Sequence, residues 1–122
     1  MYLNLETTEK RSIQGYSDQE IKVDGISYER SLILSRQEII NDWPLTSILQ
    51  LDEESLTPLL RYQPKIIIIG HHEPGQFAPL AIIQKLVNQQ IGCECMSIGA
   101  ACRTYNVLLS ELRDVVLGII LK

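Results

Sequence analysis

The sequence lacks any apolar run long enough to cross a membrane. Its longest nearly unbroken run, residues 115–121, spans seven positions and is interrupted by Gly118, whereas a spanning helix needs about 20. Residues 1–11 set Glu6, Glu9, Lys10 and Arg11 among few apolar side chains, which is not the pattern of a secretory signal. An excess of basic residues is missing too. Eleven Lys and Arg stand against 15 Asp and Glu, a net charge of −4, so nucleic acid is not an expected partner. Cysteine is scarce: Cys93, Cys95 and Cys102 are an odd set that cannot pair completely, which favours free thiols and a reducing compartment. No internal repeat or low-complexity stretch is present. These absences predict a soluble, cytoplasmic chain with no membrane insertion.

What remains is the composition of a globular domain. Of the 122 residues, 45% are apolar and 21% charged, which excludes wholesale disorder. Surface scaling gives a folded area of roughly 6,700 Å² against roughly 20,000 Å² unfolded, enough burial for a core without staples. One domain spanning 1–122 is expected, with 1–11 as a candidate flexible N-terminal segment. Charge divides unevenly: residues 1–60 hold 11 acids and 5 bases, residues 61–122 only 4 acids and 6 bases.

The first half reads as short strands and turns. Ile13, Ile21, Val23, Ile26 and Tyr28 alternate with polar neighbours, and Asp24-Gly25 between two such runs signals a hairpin. The pattern predicts one strand through residues 27–34, ending near Ser35, and another over 38–45 broken by Pro44. Asp52 then offers a helix cap followed by Glu53 and Glu54, which suit a helix N-terminus. That helix would tolerate Pro58, bury Leu56, Leu59 and Leu60, and close at Pro64.

The second half alternates strand and helix. Residues 65–70 (KIIIIG) contain four consecutive isoleucines, too few for a helix and suited to a strand covered on both faces. Residues 78–90 place Leu80, Ile83, Leu86 and Val87 at helical spacing, and 91–96 is a second short strand. A helix over 100–113 would bury Ala101, Tyr105, Leu108 and Leu112, and 115–121 is a final strand. The order defines an α/β domain with two right-handed crossovers.

In such sheets ligands collect beyond the C-terminal strand ends. Residues 70–75 (GHHEPG) and 97–99 (SIG) occupy that edge if their strands pair. The helix beginning at Ala100 would turn free N–H groups toward it, a natural anion site. The candidate pocket is Gly70, His71, His72, Ser97, Gly99, Cys102, Arg103 and Asn106. A helix N-terminus lowers a thiol's pKa, so Cys102 with His71 or His72 could form a nucleophilic pair; the preferred reading makes Cys102 a buried apolar residue and the histidines loop surface. Arg103 and Asn106, three apart, form either a ligand clamp or a solvated face. Cys93 and Cys95 share one strand face, but their spacing and that of the histidines match no structural zinc pattern, and filling the core from a central strand is the preferred role. Residues 70–76 are not a phosphate-binding loop. No catalytic set, metal or cofactor is expected. Trp43, the lone tryptophan, is read as core.

The string GAACRTYNVLLSELR at 99–113, preceded by ECMSI, is distinctive. With IQGY at 13–16, YERSLILS, Trp43-Pro44 and KIIIIG, it resembles the family of domain of unknown function 498 over about residues 12–121. The resemblance implies a three-layer single domain: a central mixed sheet of about five strands with flanking helices, an additional β layer from the N-terminal half, and a final strand running antiparallel. Members often carry Gly-Thr-Gly where this chain has Gly70-His71-His72, and an Asp-Thr-like pair at Ser97-Ile98. The family includes a mitochondrial complex I assembly factor. The resemblance therefore favours a non-enzymatic protein-interaction or assembly-factor-like module with a protein partner. Independently of it, exposed strand edges in the first half, or Trp43 and its neighbours, could form a homodimer face. The competing reading is a small-molecule or anion-binding domain, with or without enzymatic activity, built on the helix start at Ala100–Arg103.

Overall fold

The computed structural model describes residues 2–5 and 9–122. Of the N-terminal segment expected to be flexible, residues 1 and 6–8 lie outside the described residues. β1 (Leu3–Asn4), β2 (Ile13–Tyr16), β3 (Ile21–Val23) and β4 (Ile26–Tyr28) form an antiparallel meander in that order. Asp24 and Gly25 both take positive φ, at 50° and 83°, which makes the β3–β4 connection the two-residue hairpin that the sequence announces.

The strand expected to continue from Ser27 to Ser35 is instead two strands in two sheets. β5 (Leu32–Ser35) leaves the meander and joins a second sheet. Ser31, buried between them, accounts for the break: its hydroxyl donates to the Leu45 carbonyl at 2.6 Å and accepts the Leu121 N–H at 2.8 Å. The segment 38–45 supplies only β6 (Ile39–Ile40). Asp42, at φ 58°, turns the chain before Pro44 is reached. Asp52 caps α1 (Glu53–Leu56) in a reciprocal pair with Ser55, and a 3-10 turn at Thr57–Leu60 carries Pro58. Leu56 and Leu59 are buried as expected, and Leu60 is half-buried.

The second sheet is completed by β7 (Ile66–His71), β8 (Gly92–Ser97) and β9 (Val115–Ile119), in the order β6-β5-β9-β7-β8. β7 runs parallel to both β8 and β9, whereas β9 is antiparallel to β5. The last strand is thus antiparallel on one side only, and the sheet is mixed. α2 (Leu80–Asn88) links β7 to β8, and α3 (Ile98–Ser110) links β8 to β9.

Side-chain alternation along β7 explains its isoleucines. Ile67 and Ile69 face one cluster with Trp43, Leu59, Ile82, Leu86 and Val116, while Ile68 faces the other with Ala101, Tyr105, Leu117, Ile13 and Ile21. α2 and α1 therefore cover one face of the large sheet, and α3 with the meander covers the other. These are the expected three layers. A strand buried on both sides needs apolar residues at successive positions. The folded surface is 6849 Å², close to the expected value.

Two helix faces differ from the sequence reading. On α2 the buried residues are Ile82 and Leu86, whereas Leu80 and Val87 are exposed. α3 ends at Ser110 rather than Arg113. Leu112, at φ 61°, turns the chain while the Arg113 N–H bonds back to the Leu108 carbonyl and Leu112 N–H to Leu109, a Schellman termination without glycine. Leu112 is consequently exposed, and Leu109 takes the inner position.

Candidate functional site

β7 and β8 pair in register from Ile66↔Gly92 to His71↔Ser97, so both strands end together. The chain leaves β7 toward the α2 face and leaves β8 toward the α3 face. This divergence opens a crevice, the place where α/β sheets hold ligands. The resulting cleft measures about 440 Å³ and is lined by His71, His72, Gly75, Phe77, Cys95, Met96, Ser97 and Gly99, with Asp18 at its rim.

His71, His72, Ser97 and Gly99 of the expected pocket therefore converge. Gly70 lies beneath it: a Cβ there would sit 2.6 Å from the Ala101 Cβ and 3.3 Å from the Ile98 Cα. Cys102 is fully buried against the sheet, and burial pushes its thiol up to about 12, against a smaller pull from Arg103. It is an apolar filler at neutral pH. Arg103 extends over Gly99 and donates from Nη1 to the Tyr16 hydroxyl at 2.8 Å. Asn106 is committed to β2: its Oδ1 accepts the Ile13 N–H at 2.7 Å and its Nδ2 donates to the Ile13 carbonyl at 2.9 Å. This paired contact mimics a strand partner and binds the meander to α3. Asn106→Ala should lower stability by about 2 kcal/mol in urea unfolding, because both Ile13 groups lose their partner in a partly buried site.

The histidines have local partners as well. His71 is buried, and Nδ1 accepts the Glu73 N–H at 3.2 Å, which leaves Nε2 protonated. His72 donates from Nε2 to the Thr46 carbonyl at 2.8 Å. Glu73 reaches back to the Ser47 hydroxyl and accepts the Ile48 N–H at 3.0 Å, contacts that hold its carboxyl below the usual range. Together these bonds pin the 72–77 loop to the segment before α1. Ser97 caps α3 by accepting the Ala100 N–H at 3.3 Å, which uses one of the free donors expected at that helix start.

Burial is the main reason the His71 pKa is lowered, outweighing the attraction of Glu73. The unfolded chain, with histidine near 6.5, thus takes up a proton before the folded one does. Stability supplied by neutral His71 is complete above that pH and is lost as pH falls from there toward the folded-state value. His71→Asn should flatten this part of a stability–pH curve measured by denaturant titration. An unchanged slope would contradict the assignment.

Sequence reading placed Cys93 and Cys95 in a central strand, but β9 inserts on the far side of β7 and leaves β8 at the edge. Both cysteines are half-buried and free, packed against the cluster under α2. Cys95 lines the cleft, as do Phe77 and Met96, which were not anticipated. The available signal was the shared face of Cys93 and Cys95; what was missing was the strand order. Among the described residues, no three His, Cys, Asp or Glu side chains are placed to hold a metal ion, and no helix is long and apolar enough to cross a membrane.

The mixed sheet, its two crossover helices and the antiparallel meander packed over α3 define a three-layer α/β domain. The chain belongs to the family of proteins of unknown function DUF498/DUF598, whose model matches residues 13–120. A curated relative from Francisella tularensis subsp. holarctica, named a 13 kDa major membrane protein, is 32% identical over 89 residues, 72% of each chain. The NMR structure of a Xanthomonas campestris protein is 32% identical with a TM-score of 0.83, covering 98% of this chain and 91% of its own. The crystal structure of a Bartonella henselae protein described as an outer membrane protein is 25% identical, with a TM-score of 0.81 over 92% of this chain and 95% of its own.

Proposed function

We propose that the chain is a non-enzymatic interaction module of assembly-factor type, which binds a protein partner through the outer face of α2 beside the β8 edge. The observation that carries this reading is an apolar stripe facing solvent. Phe77, Leu80 and Val87 are 70%, 70% and 64% exposed, and Leu80, Ile83 and Val87 lie at i, i+3 and i+7, one helix face. The inner face of the same helix is filled by Ile82 and Leu86, with Ile83 half-buried against the same cluster at the edge of the stripe, whereas Phe77, Leu80 and Val87 take no part in that core. α2 lies over β8. β8 pairs on one side only and bears a single charge, Glu94, an edge that invites a partner.

The polar residues of the expected pocket support the same reading. Arg103, Asn106, His71, His72 and Ser97 are each engaged in holding elements together, and the Cys102 thiol is buried. Two relatives carry membrane names. A cytoplasmic module whose partner is itself a membrane protein accommodates those names with helices too short to span a bilayer.

The double variant Leu80→Glu/Val87→Glu tests this reading. Both sites are exposed, so its melting temperature should match that of the parent chain. Removing two buried apolar contacts, each worth about 1.5 kcal/mol or more, should weaken partner binding at least tenfold. A stoichiometric partner co-purifying with the parent chain and absent from the variant is the expected result. A homodimer in sedimentation that the variant dissolves identifies the partner as a second copy. Equal recovery of the same partner from both chains contradicts the surface.

A further inference from the structure

Among the described residues, Cys93 and Cys95 are two free thiols that the fold places on a single strand face. Alternation along β8 turns both toward α2, and both remain half-buried and unpaired. Cys95 alone of the two reaches the cleft wall. Two donors converge on its sulfur, the Cys93 thiol and the Ala78 N–H just ahead of α2. Cys93 has no such backbone donor and is flanked by the Cys95 and Glu94 charges. Beyond the interaction role, we propose that Cys95, with Cys93 beside it, forms a thiol–disulfide exchange site for a small aliphatic disulfide that enters the cleft beyond β7 and β8.

The chemistry balances with that disulfide as the oxidant. The Cys95 thiolate attacks one sulfur of R–S–S–R, forming Cys95–S–S–R and expelling RS⁻, which takes a proton from water. Cys93 loses its proton to water and attacks the Cys95 Sγ, forming the Cys93–Cys95 bond and expelling the second RS⁻, again protonated by water. The two protein thiols give up two electrons, and the substrate leaves as two thiols. Two residues of strand span about 6.7 Å, at the upper end of the Cα separation that a disulfide accepts and beyond its usual Cβ separation of about 4 Å, so closure requires the β8 edge to buckle away from its register with β7. The closed form is therefore strained and reopens in excess thiol, as a reversible exchange site requires and a structural staple does not. A cleft of about 440 Å³ suits a small molecule.

The donor from Cys93, with that from Ala78, lowers Cys95 to about 7 against opposing burial and Glu94, while Cys93 is raised. The other titratable groups near the cleft are His71 from β7 and His72 and Asp18 at the rim; Lys85 of α2 is turned to Glu53. At pH 7 Cys95 is therefore thiolate to a larger extent than an ordinary thiol. The weaker nucleophilicity of a low-pKa thiolate takes back most of this gain in rate. The pH profile is thus the sharper readout.

The experiment treats the folded full chain with hydroxyethyl disulfide and follows intact mass, alongside peptide-mapped alkylation of Cys95 across pH. The parent chain should lose two hydrogens and retain no adduct, and excess thiol should restore it. Cys93→Ser should keep one mixed adduct on Cys95. Alkylation of parental Cys95 should show a midpoint well below the ordinary value of about 8.5. A midpoint at the ordinary 8.5, or reaction at Cys93 ahead of Cys95, would overturn the site, and a stable mixed adduct on parental Cys95 would remove the role given to Cys93.

Discussion

Trp43→Ala should be the most damaging single truncation, lowering stability by about 3–5 kcal/mol, the range for removing a buried tryptophan. The indole is 3% exposed and donates from Nε1 to the Ser55 carbonyl at 3.0 Å. It lies directly on β9 at Gly118, where a Cβ would come within 2.9 Å of its ring. The position opposite on β9 is a glycine, so the strand offers no side chain to fill the space. The loss also frees the Ser55 carbonyl inside the α1 cap. At about 4 °C per kcal/mol for a chain of this size, calorimetry should record a fall of roughly 12–20 °C. A fall under about 4 °C would mean that the α1 layer is not seated on the sheet as described.

Gly70→Val should cost about 3 kcal/mol by the opposite mechanism, overpacking. A Cβ at Gly70 would meet the Ala101 Cβ at 2.6 Å, the Ile119 Cδ1 at 2.9 Å and the Ile98 Cα at 3.3 Å. The isoleucine tip can move, but the first turn of α3 is backbone and cannot move without lifting the helix from β7. The added β-branched side chain would suit an isolated strand, so helix docking and not strand propensity decides the sign. Gly70→Ala with denaturant unfolding separates the two effects: a smaller loss than valine, of about 1–2 kcal/mol, is expected, whereas a gain would show that α3 stands off the sheet.

The same contacts explain what could be read from the sequence. Four isoleucines identified β7 because burial on both faces leaves a local mark. Asp24-Gly25 and Asp52 likewise act through their own backbone neighbourhoods. The crevice is legible only on the condition that the strands bearing residues 70 and 97 pair, and the β7–β8 register meets that condition. Other features depend on distant partners. Leu80 and Val87 sit at spacing that fits a core stripe, and only the position of the sheet shows that Ile82 and Leu86 face inward instead. The break at Ser31 depends on Leu45 and Leu121, and the edge position of β8 depends on β9 inserting elsewhere. From sequence Asn106 reads as either a ligand clamp or part of a solvated face, because its partner, Ile13, lies 93 residues away.

The central claim is that the outer face of α2 meets a protein partner. Site-specific photo-crosslinking in living cells tests it most directly, with the reactive side chain placed at Leu80 and, as control, at Ile26, which is 56% exposed on the meander. The account predicts a discrete adduct of defined mass from position 80 and none from position 26. Adducts of equal yield from both positions, or from position 26 alone, would contradict it.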